Sequence, residues 1–112
     1  MCKNYTEDPL NFPGKIRMRT GQQVNAGMQR LKPVYREITL PVYGVHGDAD
    51  RCTSLKAHQR FMDSISSKDK HLEVVAGGYH ELLHGPQRHD VVRKAVAWLL
   101  EHAASHPARS AL

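Results

Sequence analysis

Two short stretches of the chain carry residue types that can do chemistry together. Gly47-Asp48-Ala49-Asp50 follows the apolar run Leu40-Pro41-Val42-Tyr43-Gly44-Val45-His46. Gly77-Gly78-Tyr79-His80 follows the run His71-Leu72-Glu73-Val74-Val75-Ala76. A carboxylate and an imidazole make an orienting pair: the acid accepts the Nδ1 proton and fixes the tautomer, which leaves Nε2 to take a proton from a hydroxyl nucleophile. Acid before histidine, with the nucleophile earlier in the chain, is one of the orders in which serine triads occur. Asp48 and Asp50 compete for the acid role, and residue order alone does not separate them. Taken singly, an Asp here forms the turn or caps the next helix, and a His after two glycines is a loop residue. The functional reading rests on finding both at matching strand ends.

Other sets are less convincing. His80-Glu81-Leu82-Leu83-His84 matches the zinc pattern H-E-x-x-H. That chemistry needs both histidines one turn apart on a continuous helix. Gly77-Gly78 before the motif and Gly85-Pro86 after it predict a loop or one short turn, and His89 is at the wrong offset for a third ligand. A zinc hydrolase is therefore kept only as an alternative. The remaining histidines show no ligand spacing, and His46 reads as a structural histidine beneath the site. Cys52, two residues past Asp50, has no evident activating neighbour and reads as a buried thiol. With only Cys2 and Cys52, a disulfide scaffold is excluded and reduced thiols are expected. Neither a cofactor nor a metal is called for.

The elements that must position these residues follow from the hydrophobic pattern. Thr20 predicts the cap of a helix over about 21–31, with Val24, Met28 and Leu31 on one stripe and Pro33 as its stop. Residues 40–46 read as a strand buried on both faces, with Pro41 at its start. A helix over about 55–66 follows, capped by Thr53 or Ser54, with Leu55, His58, Phe61, Met62 and Ile65 near one face. Ser66 to Lys70 is a polar connector, and residues 71–76 form a second strand. The last helix spans about 87–104, with a wide stripe of Val91, Val92, Ala95, Val96, Trp98, Leu99 and Leu100. Residues 105–112 read as a frayed tail. Strand, helix, strand, helix at this spacing predicts βα units of an α/β protein. Two strands leave faces and edges unpartnered, so a piece of a larger α/β fold is expected, with poor stability on its own.

The charge is uneven. The chain carries a net +5, and the whole excess lies in residues 1–36, which hold seven basic and two acidic residues. A basic segment favours anionic partners, but the Lys15-Ile16-Arg17-Met18-Arg19 cluster has no interleaved aromatics, so no nucleic-acid role is expected. No run of about 18 apolar residues predicts a membrane span, and the N-terminus lacks the apolar centre of a signal peptide.

Five stretches carry a family likeness: Asp8-Pro9-Leu10 with Pro13-Gly14-Lys15, Leu40-Pro41-Val42, His46-Gly47-Asp48-Ala49-Asp50, Ser66-Ser67-Lys68-Asp69-Lys70, and Gly78-Tyr79-His80-Glu81-Leu82-Leu83. In this order they resemble the C-terminal part of the monoacylglycerol lipase-like α/β-hydrolases, also called the serine aminopeptidase S33 or hydrolase 4 type. Lysophospholipase-like and caffeoylshikimate esterase-like proteins belong to the same group. The resemblance covers about residues 5–103. It implies the C-terminal portion of an α/β-hydrolase fold: residues 1–36 as the end of the cap and its return helix, and residues 37–104 as the last parallel strands with flanking helices. It also implies Asp50 as the triad acid and His80 as the triad histidine.

One departure is decisive. No Gly-x-Ser-x-Gly nucleophile elbow occurs in the 112 residues, and the oxyanion-hole glycine motif is absent too. The expectation is a fragment of a serine ester hydrolase that supplies acid and base, is inactive alone, and requires a missing N-terminal half. The substrate implied is an acyl ester or lipid. A cytoplasmic location, with peripheral membrane contact through the basic segment, is the accompanying expectation. A non-catalytic α/β interaction module is the competing reading.

Overall fold

The computed structural model describes residues 7–12 and 14–105. The chain divides into two compact units, Met1–Val34 and Tyr35–Leu112. Cys2 and residues 106–112, most of the expected tail, lie outside the described residues.

In the first unit, helix α1 spans Met18–Leu31. It starts earlier than the sequence suggests. Thr20 falls inside the first turn, and Arg17 precedes the helix without a side-chain cap. Val24, Met28 and Leu31 do share a stripe, but all three are exposed. Pro33 does not stop the chain's helical course. The α-helix ends at Leu31 and a 3-10 segment continues over Lys32–Glu37, because proline lacks only a donor that the first turn of a new helical element does not use.

The second unit holds the predicted βα units. Strand β1 is Val42–Gly47, helix α2 is Leu55–Ser64, strand β2 is Lys70–Val75 and helix α3 is Arg88–Ser105. The strands pair in parallel, Val42 opposite Lys70 through Gly47 opposite Val75. Gly47 belongs to the strand rather than to the turn. Ser54 caps α2 by accepting from the Ala57 amide at 3.3 Å. The polar connector closes the other end of α2: Lys70 Nζ donates to the Met62 and Ile65 carbonyls at 2.6 and 3.1 Å. These are oxygens that a helix C-terminus leaves without partners.

The two helices cover opposite faces of the strand pair, as the period of two requires. His46 of β1 meets His58 of α2. Odd-numbered Tyr43 and Glu73 meet α3, through Trp98 at 5.5 Å between ring centroids and through Lys94 at 2.6 Å. His102 stacks on Trp98 and reaches Asp69 at 2.8 Å, which ties the end of α3 to the connector before β2.

The core is thin. Met62, Ile65, Val75 and Val91 are its buried apolar residues among those described. The α2 face is the predicted one. The α3 stripe is wider than the sheet beneath it: Val91, Ala95 and Trp98 are covered at least in part, whereas Val92, Val96, Leu99 and Leu100 are exposed. Two strands are too narrow to bury a stripe of that width.

The contrast predicts unequal mutational costs. Met62→Ala, at a position 6% exposed, is expected to lower unfolding free energy by about 2 kcal/mol or more in denaturant titrations. Leu99→Ala, at a position 58% exposed, is expected to change it by less than about 0.5 kcal/mol. Equal costs would mean that the burial pattern is wrong.

Candidate functional site

Both candidate stretches lie just past the carboxyl ends of their strands, the edge at which open α/β sheets hold ligands. Their turns are fastened to each other through the backbone. The Asp48 amide donates to the Val75 carbonyl at 3.1 Å, and the Ala49 amide donates to the Gly78 carbonyl at 3.0 Å. Gly47 and Gly78 touch so closely that a Cβ on Gly47 would collide with the Gly78 carbonyl. Gly77 adopts φ +65°, a conformation that L side chains rarely take. The glycines are therefore what lets the second turn fold against the first.

Asp48 and Asp50 part company here. Asp48 Oδ1 accepts from the Gly77 amide at 2.7 Å and holds the second turn in place. Asp50 Oδ2 lies 3.0 Å from His80 Nδ1. Its other contacts are local: Oδ1 accepts from the Cys52 and Thr53 amides at 2.7 and 3.1 Å, and Oδ2 accepts from the Thr53 hydroxyl at 2.6 Å. The Asp50 side chain is 4% exposed and that of His80 is 52% exposed. The acid is enclosed and the imidazole faces outward from it.

Four donors on one carboxylate favour its charged form. The Thr53 hydroxyl, then the His80 ring, hold the Asp50 carboxyl well below the usual carboxylate range. With Asp50 ionised, the proton between the two groups must sit on His80 Nδ1. In the neutral ring Nε2 is then the nitrogen without a proton.

A second imidazole pair stands behind the acid. His46, 8% exposed, lies with Nδ1 3.1 Å from His58 Nδ1 and Nε2 3.4 Å from Asp50 Oδ2. Among the described residues, His46 Nε2 has no hydrogen-bond partner. One ring of the pair donates and the other accepts, so both cannot be charged. Burial, then the nearby His46, pushes the His58 imidazole down.

The sequence points to His46 beneath the site, but His58 and the role of Thr53 emerge only from the structure. The signals were available. His46 shares the α2-facing parity with Gly44, His58 lies on the apolar face of α2, and Asp-x-x-Thr is a local side-chain capping pattern. Cys52 is a correction: it is exposed, not buried, because the Asp50-centred turn draws its amide inward and leaves its side chain on the surface. The H-E-x-x-H stretch contains no helix. His80 points its Nδ1 at Asp50 while exposed His84 pairs with Glu81 at 3.4 Å, so the helical zinc geometry is not formed.

A profile of the serine aminopeptidase S33 family matches residues 1–87. The chain belongs to the serine aminopeptidase S33 family. It is 29% identical over 98 residues to the monoacylglycerol lipase of Mycolicibacterium smegmatis, covering 88% of this chain and 35% of that protein. It is 27% identical over 112 residues to the caffeoylshikimate esterase of Arabidopsis thaliana, covering 97% of this chain and 34% of that protein. The crystal structure of Paleococcus ferrophilus monoacylglycerol lipase superposes with a TM-score of 0.78 at 32% identity, over 89% of this chain and 39% of that one. The chain thus spans about a third of the length of these S33-type relatives, and it carries part of an α/β-hydrolase fold. The resemblance read from the five stretches holds.

The depressed carboxyl has a testable sign. A group whose folded pKa lies below its unfolded value adds stability above the unfolded value and loses it as pH falls through the folded one. Asp50 should therefore remain ionised by carboxyl-carbon NMR at about pH 3, where an ordinary aspartate is largely protonated. Thr53→Ala should move its titration upward and Thr53→Ser should restore it. An unchanged titration in Thr53→Ala would assign the shift to some other group.

Proposed function

We propose that Asp50 and His80 are the acid and base of a serine ester hydrolase acting on acyl esters, with monoacylglycerols or lysophospholipids as the substrate class. The observation that carries this reading is the 3.0 Å bond between His80 Nδ1 and an enclosed Asp50 carboxylate. Family membership and the lipase and esterase activities of the relatives support it. His80 Nε2 takes the proton of a serine hydroxyl as its oxygen attacks the ester carbonyl. The same proton passes to the departing alcohol when the carbon–oxygen bond breaks. Water, deprotonated by His80 in its turn, then releases the acid from the acyl-enzyme. Asp50 stays ionised throughout and stabilises the imidazolium.

The serine and the oxyanion-hole donors come from segments outside these 112 residues, since the sequence holds no Gly-x-Ser-x-Gly. The same segments would cover the exposed apolar side of α3. There Val45, Leu82, Leu83, Val92 and Val96 line an open cavity of about 590 Å³ with His80 at its rim. Val92 and Val96 in its wall belong to the unburied part of a core stripe, so we read it as packing volume rather than as an acyl pocket. Basic residues 15–19, with Ile16 and Met18 exposed among them, suit contact with a lipid surface.

Two outcomes test the assignment. A fluorophosphonate probe should leave the 112-residue chain unlabelled and label an enzyme that contains the serine-bearing segment. In that enzyme, Asp50→Asn and His80→Ala should each lower turnover roughly 10³–10⁴-fold. Wild-type turnover in either variant would refute the role assigned to that residue.

A further inference from the structure

The turn that carries Asp50 also presents a thiol. Cys52 is exposed, and its sulfur, an Asp50 carboxylate oxygen and a His80 ring nitrogen all lie within 4.8 Å of one another. Carboxylate, thiolate and imidazole together form a donor set typical of zinc. Two of the three are already near coordination spacing. Asp50 Oδ2 and His80 Nδ1 stand 3.0 Å apart, against roughly 3.3 Å for oxygen and nitrogen ligands on one tetrahedral zinc. The third is on an exposed side chain that can rotate inward. The Asp50 carboxylate is fixed in advance by the Cys52 and Thr53 amides and the Thr53 hydroxyl, the kind of outer support that orients a metal ligand.

We propose that Asp50, Cys52 and His80 form a reversible binding site for a thiophilic divalent cation, zinc or cadmium, in which the metal takes the place of the proton between Asp50 and His80. Binding forms one bond each to oxygen, nitrogen and sulfur. It releases the Cys52 thiol proton to solvent while the imidazole proton moves from Nδ1 to Nε2, so His80 stays a neutral ligand and nothing is oxidised or reduced. Carboxylate and thiolate together balance the charge of the cation, and water fills the fourth position. This is not the H-E-x-x-H arrangement, since neither Glu81 nor His84 takes part. In a complete hydrolase such a cation would be an inhibitor, because it removes the hydrogen bond that orients His80. The geometry of the turn supports the site whether or not the chain serves an esterase.

The test is a titration of the 112-residue chain with cobalt(II), which absorbs in the near ultraviolet when a thiolate coordinates it, followed by displacement with zinc. The expected result is a charge-transfer band saturating at one cobalt per chain and bleached by zinc. It should be lost in Cys52→Ser, kept in Cys2→Ser, and at least tenfold weaker in affinity in His80→Gln. Absence of the band, its survival in Cys52→Ser, or an unchanged affinity in His80→Gln would overturn the proposal. An unfolded chain with eight histidines would bind equally with and without His80, and so would also count against it. No readout involves turnover, so this result and that of the hydrolase reading are independent.

Discussion

The close backbone contact between Gly47 and Gly78 governs the arrangement of the site. No side chain fits where the two strand-end turns meet, and amides from one turn bond carbonyls from the other strand's end. Parallel pairing of β1 and β2 brings the turns to the same edge of the sheet, with Gly47 opposite Val75. The glycine contact then closes the remaining gap. Asp50 and His80, 30 residues apart in sequence, reach bonding distance only because both conditions hold. A larger residue at Gly47 would collide with the Gly78 and Tyr79 backbone, push the turns apart and separate the acid from the imidazole.

Once placed, the acid is held with little freedom. Two amides, one hydroxyl and one imidazole converge on the Asp50 carboxylate, which explains its persistent charge. A single fixed charge determines where the His80 proton resides, and thereby which ring nitrogen can act as a base. His46 and His58 lie on the far side of the same carboxylate. The two rings pack edge to face beside the acid and are hydrogen-bonded to each other through their Nδ1 atoms. Burial presses His58 toward its neutral form.

Much of this was legible in the sequence, for a reason that differs between elements. The apolar run of β1, the Ser54 cap and the apolar face of α2 are local signals, and the structure follows them within a residue or two. The order of the acid and histidine stretches at successive strand ends was legible too. The choice between Asp48 and Asp50 was not legible in residue order, because both lie in one turn; the family resemblance implied Asp50, and the approach of Gly77 to Asp48 and of His80 to Asp50 is what distinguishes them physically. Cys52 was misplaced for the same reason: its exposure depends on how the turn wraps Asp50. The extent of α3 burial was likewise invisible, since an apolar stripe declares what a helix can bury and not how much sheet lies beneath it. Val92, Val96, Leu99 and Leu100 are the residue of that difference.

The chemistry of the site turns on one proton. With Asp50 ionised, a neutral His80 ring carries its proton on Nδ1 and leaves Nε2 open. Long-range ¹⁵N–¹H NMR of the His80 imidazole near neutral pH reports that tautomer directly. The predicted result is a protonated Nδ1 with a strongly downfield proton that moves upfield in Asp50→Asn, beside an unprotonated Nε2. A neutral ring protonated at Nε2, or an Nδ1 proton indifferent to Asp50→Asn, would contradict it.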